Sequence, residues 1–415
     1  MFRKKAIDLS QSPGRLTWNR LLKNRLTIAA MLCILLASLV AMLGYLITPD
    51  HTPFSNRQYI EVSAQPPGYR VNMLKITRND EPQPQGWYKT MLYGKRDHFQ
   101  YIPFNDFRFE DDYIILSEFD PYPTEIQREF RYHLADVAFA LAPAGDAVAR
   151  DDMKMIVTDL HNTEHRVSLQ ELQSMVAGKH LIKRTFILGS DRFGRDVLSQ
   201  LMIGTRVSLS VGLISVFISL VIGITIGALG GYFKGWVDTV VVWLINVVWS
   251  IPTLLLVIAI TFALGKGFWQ VFVAVGLTMW VEVARVVRGQ VLSAREKEYV
   301  EAARALGFRN WRIITKHILP NVMGPVIVIS AANFASAILI EAGLSFLGIG
   351  VQPPMPSWGT MIKENYAYII LDKAYLAILP GLAIMLMVLS FMIIGNGLRD
   401  AMDIRTVDKP GKLLS

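Results

Sequence analysis

His161-Asn-Thr-Glu-His165 has residue types and a spacing that could hold a catalytic metal. In the order H-x-x-E-H, two histidines bind zinc and the glutamate activates water, provided both imidazoles share one helical face and a third ligand comes from elsewhere. The preceding run, Met155-Ile-Val-Thr-Asp-Leu160, is short, apolar and β-branched, so it reads as a strand, and Asn162-Thr163 suits a turn. A strand and a turn do not align the two rings, so neither a catalytic residue nor a metal ligand is expected here. Glu110-Asp111-Asp112 and Asp151-Asp152 lack calcium-loop spacing and read as solvated surface. The chain has no G-x-x-x-x-G-K-[ST] phosphate loop and is not expected to bind ATP by that route.

A different kind of polar segment runs from Glu301 to Pro320, EAARALGFRNWRIITKHILP. Tyr299, Ala302, Ala303 and Leu306 recur at helical spacing, so residues 296–306 are expected to form a short helix with one apolar face. Glu296, Lys297, Glu298 and Arg304 largely avoid that stripe, and Gly307 is a natural stop. Asn310 is expected to cap a second short helix carrying Ile313, Ile314 and Ile318, with Pro320 near the start of the next apolar run. An apolar knob ringed by charge suits docking into a groove of a partner protein; the alternative is an amphipathic loop lying on lipid. His317 reads as an interfacial polar contact. Glu282 and Glu341 stand near the ends of apolar runs, where snorkelling or helix pairing competes with a pathway-lining role.

The elements that must position these residues are membrane helices. Of 415 residues, 52% are hydrophobic and only 18% charged, against about a quarter charged in soluble domains. Residues 26–49, 207–233, 239–265, 318–340 and 374–398 carry no charge, and each matches the roughly 20 residues needed to cross a bilayer. A sixth run begins at Gly267; with Lys266 snorkelling and Glu282 and Arg285 near the far surface it spans to about residue 285. Six spans are expected. Arg3, Lys4, Lys5, Arg15, Arg20, Lys23 and Arg25 precede the first, opposed only by Asp8. Arg285, Arg288, Arg295, Lys297, Arg304, Arg309, Arg312 and Lys316 lie between the fourth and fifth. Six spans bring both groups and the C-terminal tail to one side, which the positive-inside rule makes cytoplasmic. The formal charge of +8 then reflects topology and anionic lipid, with no nucleic acid as partner. The first span reads as a retained anchor, and its Cys33, the only cysteine, excludes an intramolecular disulfide.

Residues 50–185 interrupt this pattern with a polar segment, expected outside the cytoplasm as a small α/β or α+β domain. Pro66-Pro67-Gly68 and Pro82-Gln83-Pro84-Gln85-Gly86 mark loops, and Ser168-x-x-Glu171 resembles a capping box opening a helix that stops at Gly178. Asp191 is expected to cap the helix leading into the second span. Gly223, Gly227 and Gly231, four apart, suit close helix packing, and Pro252, Pro325 and Pro380 are expected to bend three spans.

Glu301-Ala302-Ala303, Gly307 six residues after the glutamate, and Leu319-Pro320 twelve further on resemble the coupling loop (the EAA motif) of ABC importer permeases. Leu188-Gly-Ser-Asp-Arg-Phe-Gly-Arg-Asp-Val-Leu-Ser199, Glu341-Ala-Gly-Leu-Ser-Phe-Leu-Gly-Ile-Gly350, Pro356-Ser-Trp-Gly-Thr360 and Gly395-Asn-Gly-Leu-Arg-Asp-Ala-Met-Asp-Ile-Arg405 are similar to segments of the dipeptide, oligopeptide and nickel permeases. The resemblance covers the N-terminal anchor and nearly all of 188–405. It implies an all-α polytopic membrane protein with six transmembrane helices, a type I importer core at 186–405. Its helices would run at about 207–233, 239–265, 267–285, 318–348 and 374–398, with a coupling loop at 296–320. A cytoplasmic basic tail (1–25), the first transmembrane helix (26–49) and the extracytoplasmic insert (50–185) would precede the core, and a cytoplasmic tail (406–415) would follow.

The implied function is that of the second, non-catalytic permease subunit of a peptide importer in the bacterial plasma (inner) membrane, with no cofactor of its own. Its implied partners are a homologous permease in a heterodimer, two ABC ATPase subunits that bind the ATP, an extracytoplasmic solute-binding protein and membrane lipid. By matching position, Glu301, Ala302, Ala303 and Gly307 would dock into the ATPase and Leu319-Pro320 would anchor the loop. Substrate-binding residues are not identified. Nickel or another small solute is the alternative cargo. A membrane sensor would need a cytoplasmic signalling domain, which the ten residues after Arg405 are not expected to supply. A secondary transporter would favour internal repeats and central carboxylates. The 50–185 insert departs from the family, whose connection here is usually much shorter, and is expected to dock the binding protein or gate the external mouth.

Overall fold

The computed structural model describes residues 13–81, 84–121, 128–142, 147–151, 154–265 and 267–402. Arg3, Lys4, Lys5, Asp8, Pro82-Gln83, Asp152, Lys266, Asp403-Ile404-Arg405 and the tail 406–415 lie outside the described residues. The first elements among the described residues are α1 (Pro13–Leu21) and α2 (Arg25–Leu43). It then enters β1 (Tyr69–Thr77), α3 (Trp87–Tyr93), β2 (Phe99–Glu110), β3 (Tyr113–Glu118), β4 (Glu129–His133) and α4 (Leu134–Ala138). Next come β5 (Val148–Asp151), β6 (Lys154–Thr158), β7 (Glu164–Ser168), α5 (Leu169–Met175) and β8 (Leu181–Phe186). Helices complete it: α6 (Val197–Phe233), α7 (Gly235–Trp249), α8 (Thr253–Leu264), α9 (Phe268–Arg295), α10 (Glu298–Ala305), α11 (Asn310–Arg312), α12 (Leu319–Phe346), α13 (Trp358–Asn365) and α14 (Tyr375–Met402). Two compact units result: Met42–Ile203 with Glu364–Ala377, and Gly204–Lys363 with the segments up to Ala41 and from Ile378.

The first unit is α+β. Its antiparallel five-stranded sheet has the order β4-β3-β2-β1-β8, and a separate three-stranded sheet has the order β5-β6-β7. β1, between β2 and β8, buries side chains on both faces by alternation. Leu74 and Ile76 join Phe104, Ile114, Leu116, Leu134, Val157 and Leu172 in one core. Val71 and Met73 join Tyr59, Val62, Phe119 and Phe186 in another. The capping box is present: the Ser168 hydroxyl accepts from the Glu171 amide at 3.3 Å, and the Glu171 carboxylate accepts from the Ser168 amide at 2.9 Å. Asp191 does not cap α6. It accepts from the Phe193 and Arg195 amides, both at 2.9 Å, closing its own turn, and the capping carboxylate is Asp196, which accepts from the Ser199 amide at 2.7 Å. Gly194 in that turn has φ +73°, and a Cβ there would stand 1.7 Å from the Tyr59 carbonyl oxygen.

The second unit holds the apolar helices. Among the described residues five are long and apolar enough to cross a membrane: Arg25–Leu46, Val197–Phe233, Phe268–Arg295, Asn310–Phe346 and Tyr375–Met402. The charge-free run 239–265 is not one straight helix. α7 and α8 meet at 91°, across Ser250-Ile251-Pro252, where Pro252 is extended (ψ 125°) and lacks the amide that would continue the ladder. Counting this pair as one span gives six. Pro325 and Pro380, by contrast, lie inside continuous helices. The glycine ladder of α6 meets α9: a Cβ at Gly223, Gly227 or Gly231 would stand 2.7, 2.5 or 2.8 Å from the carbonyl oxygens of Trp280, Ala284 and Arg288. Small residues are what let these two backbones touch.

Candidate functional site

The segment 296–320 is built on a buried apolar floor. Val300 and Ala303 of α10, with Ile313, Ile314 and Ile318 of the π-helical turn Ile313–Ile318, pack against Val287 and Val291 of α9 and Val322 and Val326 of α12. The expected stripe is therefore divided. Ala303 faces inward with Val300, whereas Tyr299, Ala302 and Leu306 face outward, Leu306 at 72% exposure; Trp311 is likewise exposed, at 68%. A helix this short can bury only one i, i+3 pair and its neighbours, and the β-branched Val300 takes the place expected for Tyr299. Gly307 has φ +74° with open space around it, so glycine serves the backbone turn and not a close contact. Glu301 is exposed, Leu319 half-buried against the floor, and Pro320 exposed at the start of α12.

Sequence reasoning missed Tyr232, which secures this segment from α6. Its hydroxyl donates to Asn310 Oδ1 at 2.9 Å. Asn310 is thus the first residue of α11, held by its side chain, and not a cap. The Tyr232 carbonyl accepts from the Arg295 guanidinium, and Arg304 lies 5.5 Å from the tyrosine ring. Beside it, Lys234 donates to Glu296 at 2.6 Å, and that hydrogen bond holds the Glu296 carboxyl below its usual range. His317 stacks on Phe308, with ring centroids 5.6 Å apart, and Arg312 covers the same phenyl ring.

Of the remaining candidates, His161 and His165 are not brought together on a helix. They flank a turn in which Asp159 accepts from the His161 and Thr163 amides and meets His165 Nε2 at 2.9 Å. Those contacts, the His165 bond first, hold Asp159 down to about 2. Among the described residues no group of three metal-ligating side chains occurs.

Glu341 does not snorkel. It is fully buried in α12 and accepts from the Ser345 hydroxyl at 2.7 Å, which in turn accepts from the Val351 amide at 3.1 Å. This carboxylate organises the backbone after the helix. Glu282 lies near the middle of α9, which continues to Arg295. It lines a cavity of about 310 Å³ with Trp249, Thr253, Thr278 and Ser336, at the break between α7 and α8.

Residues 219–407 match the family described as "binding-protein-dependent transport system inner membrane component", and residues 12–67 match the N-terminal transmembrane domain of oligopeptide transport permease C. The chain is 41% identical over 216 residues, 52% of it and 71% of the relative, to the glutathione transport system permease protein GsiD of Pectobacterium atrosepticum. It is also 41% identical over 215 residues, 52% of it and 70% of the relative, to the dipeptide transport system permease protein DppC of Alkalihalophilus pseudofirmus. Among solved structures it is similar to the MetNI methionine ABC transporter in an inward-facing conformation, at TM-score 0.41 and 22% identity over 51% of this chain and 97% of that one.

Proposed function

This chain belongs to the binding-protein-dependent transport inner membrane components, and from that premise we propose that it is the second permease subunit of a peptide importer in the bacterial inner membrane. A homologous permease completes the pathway, two ATPase subunits bind and hydrolyse ATP, and an extracytoplasmic binding protein delivers short peptides. The basic residues between α9 and α12 and before α2 face the cytoplasm, so both termini lie there and the sheet-bearing insert lies outside. Peptide cargo is supported by the relatives named for dipeptide and glutathione transport.

The observation that carries this reading is the construction of the 296–320 segment. Exposed Glu301, Ala302 and Leu306 offer a knob to a groove, and directly beneath them Val300, Ala303 and Ile313 are wedged against α9 and α12. A displacement of the knob is then passed to two membrane helices, because close-packed side chains transmit strain. Ala302 and Gly307 keep the approach narrow, and Leu319-Pro320 tie the segment to α12. Cargo would move past the cavity at the α7–α8 break as these helices shift. The insert would receive the binding protein; removing most of it with both anchors intact should abolish uptake, and unchanged uptake would sink that role.

The test of the whole reading is reconstitution with the partner permease, ATPases and binding protein in liposomes. Peptide-stimulated ATP hydrolysis and uptake are expected in the unaltered complex. Glu301→Arg should lower both by about tenfold or more, as charge reversal at a docking surface does. Full activity in that variant would refute the coupling assignment.

A further inference from the structure

The Met42–Ile203 unit contains a second feature with the makings of a ligand site: a cleft of about 1010 Å³ alongside β2. That is at the upper end of pockets that enclose small molecules, roughly 300–1,000 Å³. Its floor is charged but internally satisfied. Arg57 is ion-paired with Asp97, lies 4.7 Å from the centroid of the Tyr101 ring, and donates to the Tyr59 hydroxyl at 3.5 Å. That hydroxyl also accepts from Arg184 at 2.9 Å. Burial and the Asp97 charge push Tyr101 up to about 12, so its phenol stays protonated at any physiological pH.

The two ends of the cleft differ in sign. At one end Arg78 and Arg96 are exposed and make no ion pair among the described residues. The Arg78 amide bonds to the His98 carbonyl at 2.8 Å, which brings these arginines to the same end of the sheet. Arg57, Arg78 and Arg96 there stand against two lining carboxylates, Asp80 and Asp97. At the other end Glu61 is exposed without an ion pair among the described residues and acts electrostatically on Tyr132. Between them run Phe99, Tyr101, Ile102 and Pro103 of β2, a length of roughly 13 Å at strand rise.

We propose that this cleft binds a short zwitterionic peptide, roughly three residues long at that rise, with its carboxylate at Arg78 and Arg96 and its ammonium group at Glu61. A bidentate guanidinium suits a carboxylate, the aromatic wall takes side chains with little discrimination, and the separated charges require both ends of the ligand to be free. The site belongs to the insert alone and stands whether or not the membrane helices carry peptide.

The test is calorimetric titration of the purified full-length chain in detergent with tri-alanine and with its N-acetylated and C-amidated forms. Tri-alanine should bind, and each blocked form should bind about tenfold or more weakly, a loss of about 1.4 kcal/mol. Arg78→Glu combined with Arg96→Glu should abolish binding, and Glu61→Lys should weaken it comparably. All these side chains are exposed, so thermal unfolding of the variants should match the parent and exclude misfolding. The proposal is overturned if tri-alanine does not bind, if blocked peptides bind equally well, or if binding survives in the double arginine variant, which would place the peptide elsewhere. Uptake by the reconstituted complex, measured separately, reports on the transport reading and not on this cleft.

Discussion

The Tyr232 hydroxyl donates to Asn310 Oδ1 at 2.9 Å, joining the end of the long helix α6 to the first residue of α11. Tyr232 itself is buried among Val287, Val291 and Ile313, and its hydroxyl is engaged in this bond. Tyr232→Phe keeps the packing and deletes the bond, costing about 0.5–1.5 kcal/mol. The expected result is normal protein yield and ATP hydrolysis with a several-fold lower ratio of peptide transported to ATP consumed. Measuring both rates in liposomes decides it; an unchanged ratio means the bond is structural only.

Leu306 tests the docking surface from the other side. It is 72% exposed and outside the buried floor, so Leu306→Asp should leave thermal stability within about 0.5 kcal/mol of the parent. Placing a charge at the centre of an apolar contact costs about 2 kcal/mol or more of binding. Co-purification of the ATPase subunits should therefore fall sharply while the permease remains folded. A stable complex with this variant would show that the groove does not take this side chain.

Gly227 tests the helix crossing. A Cβ there would lie 2.5 Å from the Ala284 carbonyl oxygen, a backbone atom that cannot rotate away. Gly227→Ala should cost about 1–3 kcal/mol by overpacking, lowering the thermal midpoint in detergent. Gly289 of α9 is the control, because a methyl group added there would meet nothing within 4 Å. Gly289→Ala should be neutral or slightly stabilising, since alanine is the better helix former.

How much of the fold is legible in the sequence follows from whether each signal is local. The apolar spans depend on composition alone, so charge-free runs locate them, and the Ser168–Glu171 capping box lies within four residues. The sheet is not legible, because β1 pairs with β8 across more than a hundred residues, Leu74 opposite Leu181. Charges that begin near residue 285 suggest that the fourth span ends there. The helix itself continues past them to Arg295: Arg288 forms a bidentate pair with Asp238 of α7, and Arg285 covers the Trp249 ring at 4.2 Å. That continuation moves Glu282 from an apparent end to mid-helix. Likewise the stripe of α10 is visible in the sequence, but which half of it faces the core depends on α9 and α12.

His180 supplies the pH dependence. It is buried, with Nδ1 2.6 Å from the Lys75 carbonyl oxygen, and burial holds its imidazole below the ordinary histidine value. The unfolded chain therefore binds more protons than the folded one over the window from that lowered value up to about 6.5. The contribution of this group to stability is complete above about 6.5 and is lost as pH falls through the window. Thermal midpoints of the full chain should fall between about pH 8 and pH 5. His180→Gln should flatten that part of the slope. An identical slope in the variant would assign the dependence to other groups.

Glu282 offers the sharpest test of where cargo passes. A carboxylate midway along a membrane helix is costly unless it is paired or wetted, and Glu282 forms no ion pair among the described residues. It lines the cavity of about 310 Å³ at the α7–α8 break, with Thr278 and Ser336 as its polar neighbours. A positive group on a passing solute would find its counter-charge there. Glu282→Gln keeps the volume and removes the charge, so it should raise the half-saturating peptide concentration for uptake by about tenfold, roughly 1.4 kcal/mol. ATP hydrolysis without cargo should be unaffected, because the 296–320 segment is untouched. The effect should also depend on the ligand: peptides with a blocked amino terminus should be transported equally by the parent and the variant. If the blocked peptide is as sensitive to Glu282→Gln as the free one, the residue shapes the helix packing and does not recognise the charge.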